Sequence, residues 1–490
     1  MSDNSPTIAA SSPADQSLLP ILCVDLDGTL IQSDLLIESF VAMVRNRPLK
    51  AIQSPWCLLR RGRAGLKQFV AEFGPVDVAR LPYRQPILER LRAEWAAGRT
   101  IVLATAANES LARAVAAHLN LFDAVVCSDS VRNLKGHAKL QALQTYCGGG
   151  AFDYVGNARD DLAVWAGCHT PYVVSASRSI ASQARGINGT PAVVWLERPN
   201  PSRKIIRVLR PQQWIKNALV LVPMMTSHQL NARHFVAALL AVAAFCLAAS
   251  SIYVVNDALD VHDDRLHPTK RKRPFANGDL PLPWAPALAA ILLGACCFLC
   301  LFLPWHFAAV LLVYYATSTA YSFWLKSRLL VDVVVLAGLY TLRIFAGGAA
   351  VSVEVSPWLM AFSIFLFLSL AFAKRYVELA NLPLRNPGRG GVRGYVVEDL
   401  RIVGVVGPCT GCIAALVLAL YVNSGIVTQL YRRPPLLWLL LPLQLYWITR
   451  IWFFAERGAL HDDPVMFAVR DRVTWLVLTA MGIIVLLATL

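Results

Sequence analysis

From residue 209 onward the chain runs through apolar stretches of membrane length divided by short polar segments, whereas residues 1–200 set short apolar runs between amphipathic ones. A helix needs about 20 predominantly apolar residues to cross the hydrocarbon core of a bilayer. Stretches of that kind fall near 213–227, 235–255, 284–303, 306–324, 330–350, 357–376, 404–423, 434–454 and 473–490. They predict a C-terminal all-α multispanning bundle of about nine transmembrane helices, the first short and amphipathic. Upstream, residues 20–24 and 101–104 read as short buried strands, and Asp34–Glu94 between them reads as helical. That alternation predicts an α/β domain with a doubly wound parallel sheet.

Arg198–Arg207 combines proline and asparagine turn signals with basic residues. The chain therefore divides into a domain over 1–190, a linker over 191–208 and a membrane domain over 209–490. If the N-terminus is cytoplasmic, the inside loops hold seventeen Lys and Arg residues and the outside loops three (Arg233, Arg432, Arg433), the asymmetry expected of a membrane protein in that orientation. Met1–Gln16 lacks the basic and apolar regions of a signal peptide. The expectation is a multi-pass protein of the cell (inner) membrane, with its N-terminal domain and its sites on the cytoplasmic side.

Composition agrees. Hydrophobic residues make up 56% of the chain, charged residues 16%, and the mean hydropathy of +0.50 excludes an ordinary soluble protein. The net charge of +15 raises nucleic acid as a partner, but its basic runs lack interleaved aromatics, so inside loops and phosphate binding account for it better. Eleven cysteines give no disulfide framework. The CxxC pairs Cys297/Cys300 and Cys409/Cys412 lie in apolar segments and read as small residues of helix packing.

The most informative chemistry is at 256–264, where Asn256, Asp257, Asp260 and Asp264 close an apolar stretch. The spacing i, i+3, i+7 places the three aspartates on one helical face. Three carboxylates beside lipid repel one another unless a cation compensates, and Mg²⁺ prefers a few carboxylates plus phosphate oxygens. The bland alternative is a solvated helix end. Lys270, Arg271 and Arg273 follow, by default a positive-inside anchor, but beside the acidic helix phosphate ligands. Tyr321 and Lys326 close one span, and Lys374, Arg375 and Glu378 another. Arg343 lies inside a span, where it needs a cavity or a carboxylate. Asp332 is its nearest acidic candidate, but eleven helical residues separate them by about 16 Å, too far for a direct pair. The charged patch from His461 through Arg472 has no assigned role.

Two family resemblances sharpen this reading. The string Asp25-Leu26-Asp27-Gly28-Thr29 after a strand resembles the haloacid dehalogenase (HAD) superfamily of phosphatases. The resemblance makes Asp25 the nucleophile and Asp27 the general acid/base. It assigns Thr105 to phosphate binding and Lys135 to charge neutralisation, with Lys139 as a rival on the same helix. Residues 152–161 then supply the metal station, Asp161 and Asp160 holding Mg²⁺, although Asn157 stands where the family usually has its first aspartate. The stretch Asp34–Glu94 becomes a small helical cap, which implies a modest soluble or terminal phosphate substrate.

The second resemblance covers about 209–490. Residues 209–217 (Leu-Arg-Pro-Gln-Gln-Trp-Ile-Lys-Asn), the 256–264 motif, and His267-Pro268-Thr269-Lys270-Arg271 through Gly278 look like the UbiA superfamily of intramembrane transferases. It implies an all-helical bundle in which Mg²⁺ activates a phosphorylated donor, with Arg210, Lys216 and Asn217 joining the basic residues above in substrate binding. Aromatic prenyltransferases of that superfamily carry a second aspartate-rich motif, but here the region reads Phe372-Ala373-Lys374-Arg375-Tyr376-Val377-Glu378. The pattern is more similar to the decaprenyl-phosphate phosphoribosyltransferase branch, whose donor is phosphoribosyl pyrophosphate (PRPP) and whose acceptor is a polyprenyl phosphate. The fused phosphatase-like domain would then remove the 5-phosphate from the product. Two other readings compete: a prenyltransferase joining a prenyl diphosphate to an aromatic acceptor such as 4-hydroxybenzoate, and a non-catalytic membrane sensor or scaffold.

Overall fold

A computed structural model describes residues 19–128, 133–187, 191–196, 202–227, 231–381, 391–392, 394–460 and 463–490. The chain forms two compact units, one of Met1–Leu209 with Val254–Leu288 and one of Arg210–Tyr253 with Ala289–Leu490.

In the first unit, strands β1 (Ile21–Val24), β2 (Ile101–Asn108), β3 (Ala124–Ser128), β4 (Phe152–Gly156), β5 (Pro171–Val174) and β6 (Val193–Leu196) form one sheet in the order β3-β2-β1-β4-β5-β6. Every neighbouring pair is parallel. A strand covered on both faces needs an unbroken apolar run. The run in β1 satisfies this: Leu22 and Val24 enter one core cluster with Ile101, Leu103 and Val155, while Cys23 enters the other with Val102, Ala104 and Tyr154. Val24 pairs with both Leu103 and Val155, so the chain leaves β1, β2 and β4 at one level. The strand order reverses at β1, where doubly wound sheets open a crevice at their carboxyl ends.

Two boundaries expected from the sequence move. The linker expected over 191–208 contains β6, which pairs with β5, because its Val-Val-Trp-Leu run buries Trp195 against the sheet. The cap is shorter than Asp34–Glu94. It consists of α1 (Leu35–Asn46), α2 (Pro48–Ala51) and α3 (Ser54–Phe73), while α4 (Gln85–Ala96) sends Ile87, Leu88 and Leu91 into the sheet's core. Asp34 starts α1 by accepting the Ile37 N–H at 3.2 Å. Gly62, at φ 65°, breaks α3 in the middle.

The second unit is helical. Among the described residues, six helices are long and apolar enough to cross a membrane: Ala232–Leu259, Val331–Val351, Pro357–Ala380, Val397–Val422, Pro434–Glu456 and Arg472–Thr489. The expected count of about nine is not reached by these six. The stretch 213–227 is a 3₁₀ segment, Pro211–Leu221, followed by the short helix Val222–Thr226 with Pro223 in its first turn. Trp284–Cys300 is apolar but has only 17 residues. Helix Leu400–Val422 packs closely through Gly407 and Gly411: a β-carbon at Gly407 would come within 2.1 Å of Trp452, and one at Gly411 within 2.6 Å of Ile448. Small residues four apart let helices approach in this way. Cys409 and Cys412 are exposed, so the packing expected of that pair falls to the glycines instead, whereas Cys300 of the first pair packs against a core cluster and Cys297 is exposed.

Candidate functional site

The crevice of the first unit is built by three strand ends. Asp25 follows β1 and is buried, and its Oδ1 accepts from Lys139 Nζ at 2.8 Å while its Oδ2 accepts from Thr29 Oγ1 at 3.2 Å. Lys139, on α6 (His137–Tyr146), also donates to Tyr154 Oη at 2.9 Å and lies 3.7 Å from Asp161 Oδ1. Asp161 accepts from Tyr154 Oη at 2.7 Å and from the backbone N–H groups of Asn157 and Ala158 at 2.9 and 2.8 Å. Asp27 Oδ1 accepts the Leu35 N–H at 2.9 Å, tying the crevice to the start of α1. The turn between them needs glycine: Gly28 sits at φ 74°, and a β-carbon there would meet Asn157 Nδ2 at 2.3 Å.

Burial governs the protonation of this group. It pushes the Asp25 carboxyl up to about 6 despite the pull of Lys139, with the Asp161 charge adding to the rise. Asp27 is raised well above the carboxylate range by burial and by Asp34, against the Leu35 N–H. Burial draws the Lys139 ammonium down, but Asp25 and Asp161 outweigh it, so the net shift is upward and the charge is held. In front of these groups is a cavity of about 410 Å³ that Lys67 of α3 enters from the cap side. Lys67 donates to Ala106 O at 2.5 Å and to Asn133 Oδ1 at 2.8 Å, and its burial lowers its pKa.

Several expectations shift here. Lys139, not Lys135, reaches Asp25, because Gly136 at φ 52° starts α6 one turn before Lys139; Lys135 pairs with Asp160 at 2.8 Å, both about half exposed. Asp160 therefore stands apart from Asp161. Thr105 is fully buried and accepts from the Ala107 N–H at 3.0 Å, while Ala106, Ala107 and Asn108 line the cavity. Sequence reasoning missed Tyr154 and Lys67.

The acidic motif ends the long helix. Ala232–Leu259 stops, Asp260 takes φ −88°, ψ 8°, and a short helix resumes over Val261–Leu266. The break splits the expected three-aspartate face. Asp257 and Asp264, both buried, share the Arg273 guanidinium at 3.1 and 2.5 Å. Asp260 turns instead to Arg45 of α1 at 3.0 Å, which also holds Asp263 at 2.5 Å. Arg273, expected on a substrate phosphate, is an internal counter-ion; Lys270 is half-buried and Arg271 exposed. Burial raises the Asp264 carboxyl to about 6, moderated by Arg273 and increased by Asp257. No cluster of three or more His, Cys, Asp or Glu side chains forms a metal site among the described residues. Two buried carboxylates already converging on one cation are nonetheless an oxygen donor set suited to Mg²⁺. Asp25 and Asp161, converging on Lys139 beside the Asn157 amide, are another with less negative charge. No local pattern signals the ties to α1: Glu38, fully buried, takes Arg265 bidentately at 3.0 and 2.6 Å.

In the helical unit, Lys216 and Lys374 meet one oxygen of Asp463 at 2.5 and 3.3 Å. Burial would raise the Asp463 carboxyl, but Lys374 and Lys216 hold it well below the usual range. Asp463 lies in the patch left without a role; His461 and Asp462 lie outside the described residues. Arg343 is buried among neutral acceptors: Asn217 Oδ1 at 3.0 Å, Leu339 O at 2.7 Å and Tyr314 Oη at 2.9 Å. Asp332 pairs with Arg375 at 2.6 Å, both fully buried, and accepts from Tyr395 Oη at 2.8 Å. That pair makes Arg375 a structural residue where substrate binding was expected. Arg210 lies over the Tyr253 ring at 5.1 Å. Tyr321, Lys326 and Asn256 are half-buried.

Residues 218–468 match the family model described as the UbiA prenyltransferase family, and residues 22–162 match that of haloacid dehalogenase-like hydrolases. An uncharacterized protein, y4nM, of Sinorhizobium fredii is 34% identical over 464 residues, covering 94% of this chain and 89% of its own. The decaprenyl-phosphate phosphoribosyltransferase of Mycobacterium tuberculosis is 32% identical over 285 residues, covering 56% of this chain and 91% of its own. A solved UbiA homolog from Archaeoglobus fulgidus, bound to GPP and Mg²⁺, is 18% identical with a TM-score of 0.44, covering 57% of this chain and 95% of that one.

Proposed function

The chain belongs to the UbiA prenyltransferase family and carries an N-terminal haloacid dehalogenase-like hydrolase domain, and from that premise we propose that it transfers phosphoribose from PRPP to a polyprenyl phosphate and then removes the 5-phosphate. The observation that carries this reading is the 32% identity spanning 91% of the M. tuberculosis phosphoribosyltransferase. The absence of an aspartate pair at Phe372–Glu378 supports it, since Lys374 there faces Asp463.

In the transfer, an oxygen of the lipid phosphate attacks the anomeric carbon of PRPP, the bond from that carbon to the pyrophosphate oxygen breaks, and pyrophosphate leaves with the electron pair. Asp257 and Asp264 would hold Mg²⁺, with Asn256 near them and Asp260 joining only if it leaves Arg45, and the ion when bound offsets the charge of the leaving pyrophosphate. Among the described residues, Lys216, Lys374 and Arg343 outnumber the one carboxylate that the two lysines share, Asp463, and this surplus of positive charge suits phosphate-bearing substrates.

In the hydrolytic step, Asp25 attacks the phosphorus of the ribose 5-phosphate, the bond from phosphorus to the ribose oxygen breaks, and Asp27 gives that oxygen a proton. Its raised pKa keeps a proton on Asp27 for this purpose. Water then attacks the aspartyl phosphate, with Asp27 taking its proton and inorganic phosphate leaving. Asp161 and Asn157 with Asp25 would hold Mg²⁺ there, and Lys139 neutralises the phosphoryl charge. The domain and both sites are assigned to the cytoplasmic side.

The test uses full-length detergent-solubilised protein with Mg²⁺ in two reactions, labelled PRPP with a polyprenyl phosphate and a labelled prenyl diphosphate with 4-hydroxybenzoate. Lipid-extractable label from PRPP, lost in Asp257→Ala, is expected. Product only in the second reaction makes the chain an aromatic prenyltransferase, and no product in either makes it a scaffold.

A further inference from the structure

The cap carries a surface that no catalytic role uses. Ile52 and Gln53, which join α2 to α3, both hold right-handed helical backbone angles. Leu49, Ile52, Trp56 and Leu59, spaced i, i+3, i+7, i+10, therefore share one face. Their exposures are 77, 74, 58 and 85%, an apolar stripe of the kind that marks an interaction surface rather than a solvated helix. Along this stretch of chain all charge is positive. Arg47, Arg60, Arg61 and Arg63 are exposed, and no acidic residue occurs between Glu38 and Glu72. Arg60 sits 4.0 Å over the Trp56 ring. An apolar stripe with tryptophan, flanked by arginine, is the composition of helices that lie in a bilayer interface.

We propose that this face of the cap rests on an anionic bilayer surface and that the crevice behind it takes its phosphate from a lipid-linked ester. The occupant is a bilayer, not a protein, on two grounds. The charge has a single sign and complements anionic headgroups. The chain's own membrane helices also tether the domain to a bilayer, so a weak surface contact is made at high effective concentration. The substrate half rests on the phosphatase reading above and on the geometry of α3. The break at Gly62 separates Trp56 and Leu59 from Leu66 and Lys67, and Leu58, Arg63, Leu66 and Lys67 from both sides of the break line the cavity at Asp25. Helix α3 therefore carries Trp56 and Leu59 of the apolar stripe and, on both sides of its break, residues that line the crevice. A phosphate ester whose prenyl chain stays in the bilayer fits that arrangement, the terminal-phosphate rather than the soluble alternative that a small cap implied.

Full-length protein in nanodiscs with and without anionic lipid tests this, with a fluorescent amino acid at position 59 or, as control, at exposed Glu89 on α4. Quenching by doxyl-labelled phosphatidylcholine and shielding from iodide are expected at 59 and not at 89. Arg60→Glu/Arg61→Glu loses this quenching, each arginine removed weakening surface partitioning about fivefold. The same variant loses turnover of a lipid-linked ribosyl phosphate while keeping that of p-nitrophenyl phosphate. Free iodide access at 59 overturns the docking, and shielding from both quenchers overturns the bilayer in favour of a protein. Lipid quenching in a protein inert towards both phosphates overturns the substrate half alone.

Discussion

The first unit holds two pairs of buried carboxylates, each gathered on one internal cation, and the cations differ in kind. Asp25 and Asp161 share Lys139, whose side chain is only 6% exposed and is also held by Tyr154. Asp257 and Asp264 share Arg273, which stands on an irregular turn with its side chain 25% exposed. Removing Lys139 would leave the buried Asp25 and Asp161 carboxylates without their shared counter-ion, so its charge is a fixed part of the crevice. Arg273 is the more solvent-accessible of the two, and a metal ion bound by Asp257 and Asp264 would have to displace it. The same electrostatic pattern thus sets its cation deep in the core in one place and near solvent in the other.

Removing each cation separates these cases. Lys139→Ala leaves Asp25 and Asp161 buried and unpaired, a loss of about 3–5 kcal/mol that hydrogen exchange at β1 and β4 amides should read as lost protection, together with loss of phosphatase turnover. Arg273→Ala should cost less, and Mg²⁺ should raise its melting temperature more than it raises that of the wild type. Equal Mg²⁺ shifts would mean that the guanidinium and the metal do not compete.

A pH series sharpens the contrast further. Asp25 and Asp264 both titrate near 6 when folded, above an unfolded value near 3.8. Between those values the folded chain binds more protons than the unfolded one, so both groups contribute stability at low pH that is lost as pH rises through that window. Phosphatase turnover runs the opposite way, falling as pH drops through about 6 and Asp25 loses its charge. A turnover flat from pH 5 to 7 would remove Asp25 as the nucleophile. The smallest effect belongs to Lys135→Ala, where a half-exposed pair with Asp160 is worth at most about 1 kcal/mol and turnover should persist.

What was legible in the sequence was local. The β1 run and Asp25-Leu26-Asp27-Gly28-Thr29 are contiguous, so strand, turn and acid pair could be read together, and the acidic motif at 257–264 was equally contiguous although a break at Asp260 divides it. Choices decided by one backbone angle were not legible. The break at Asp260 sends that side chain to Arg45, and the positive φ at Gly136 brings Lys139 rather than Lys135 to Asp25. Contacts distant in sequence were equally hidden, as with Lys216 and Lys374 on Asp463 and Arg265 on Glu38. The span at 213–227 failed because hydropathy does not register that Pro211 and Pro223 divide it into short pieces.

The central claim, that one chain builds a phosphoribosyl lipid and then trims it, is tested most directly with PRPP labelled with ¹⁴C in the ribose and ³²P at the 5-phosphate, supplied with a polyprenyl phosphate. The wild type should place ¹⁴C in the lipid fraction and release ³²P as inorganic phosphate, while Asp25→Asn keeps both labels in the lipid. Both labels retained by the wild type would contradict the hydrolytic half, and no ¹⁴C in the lipid would contradict the transfer itself.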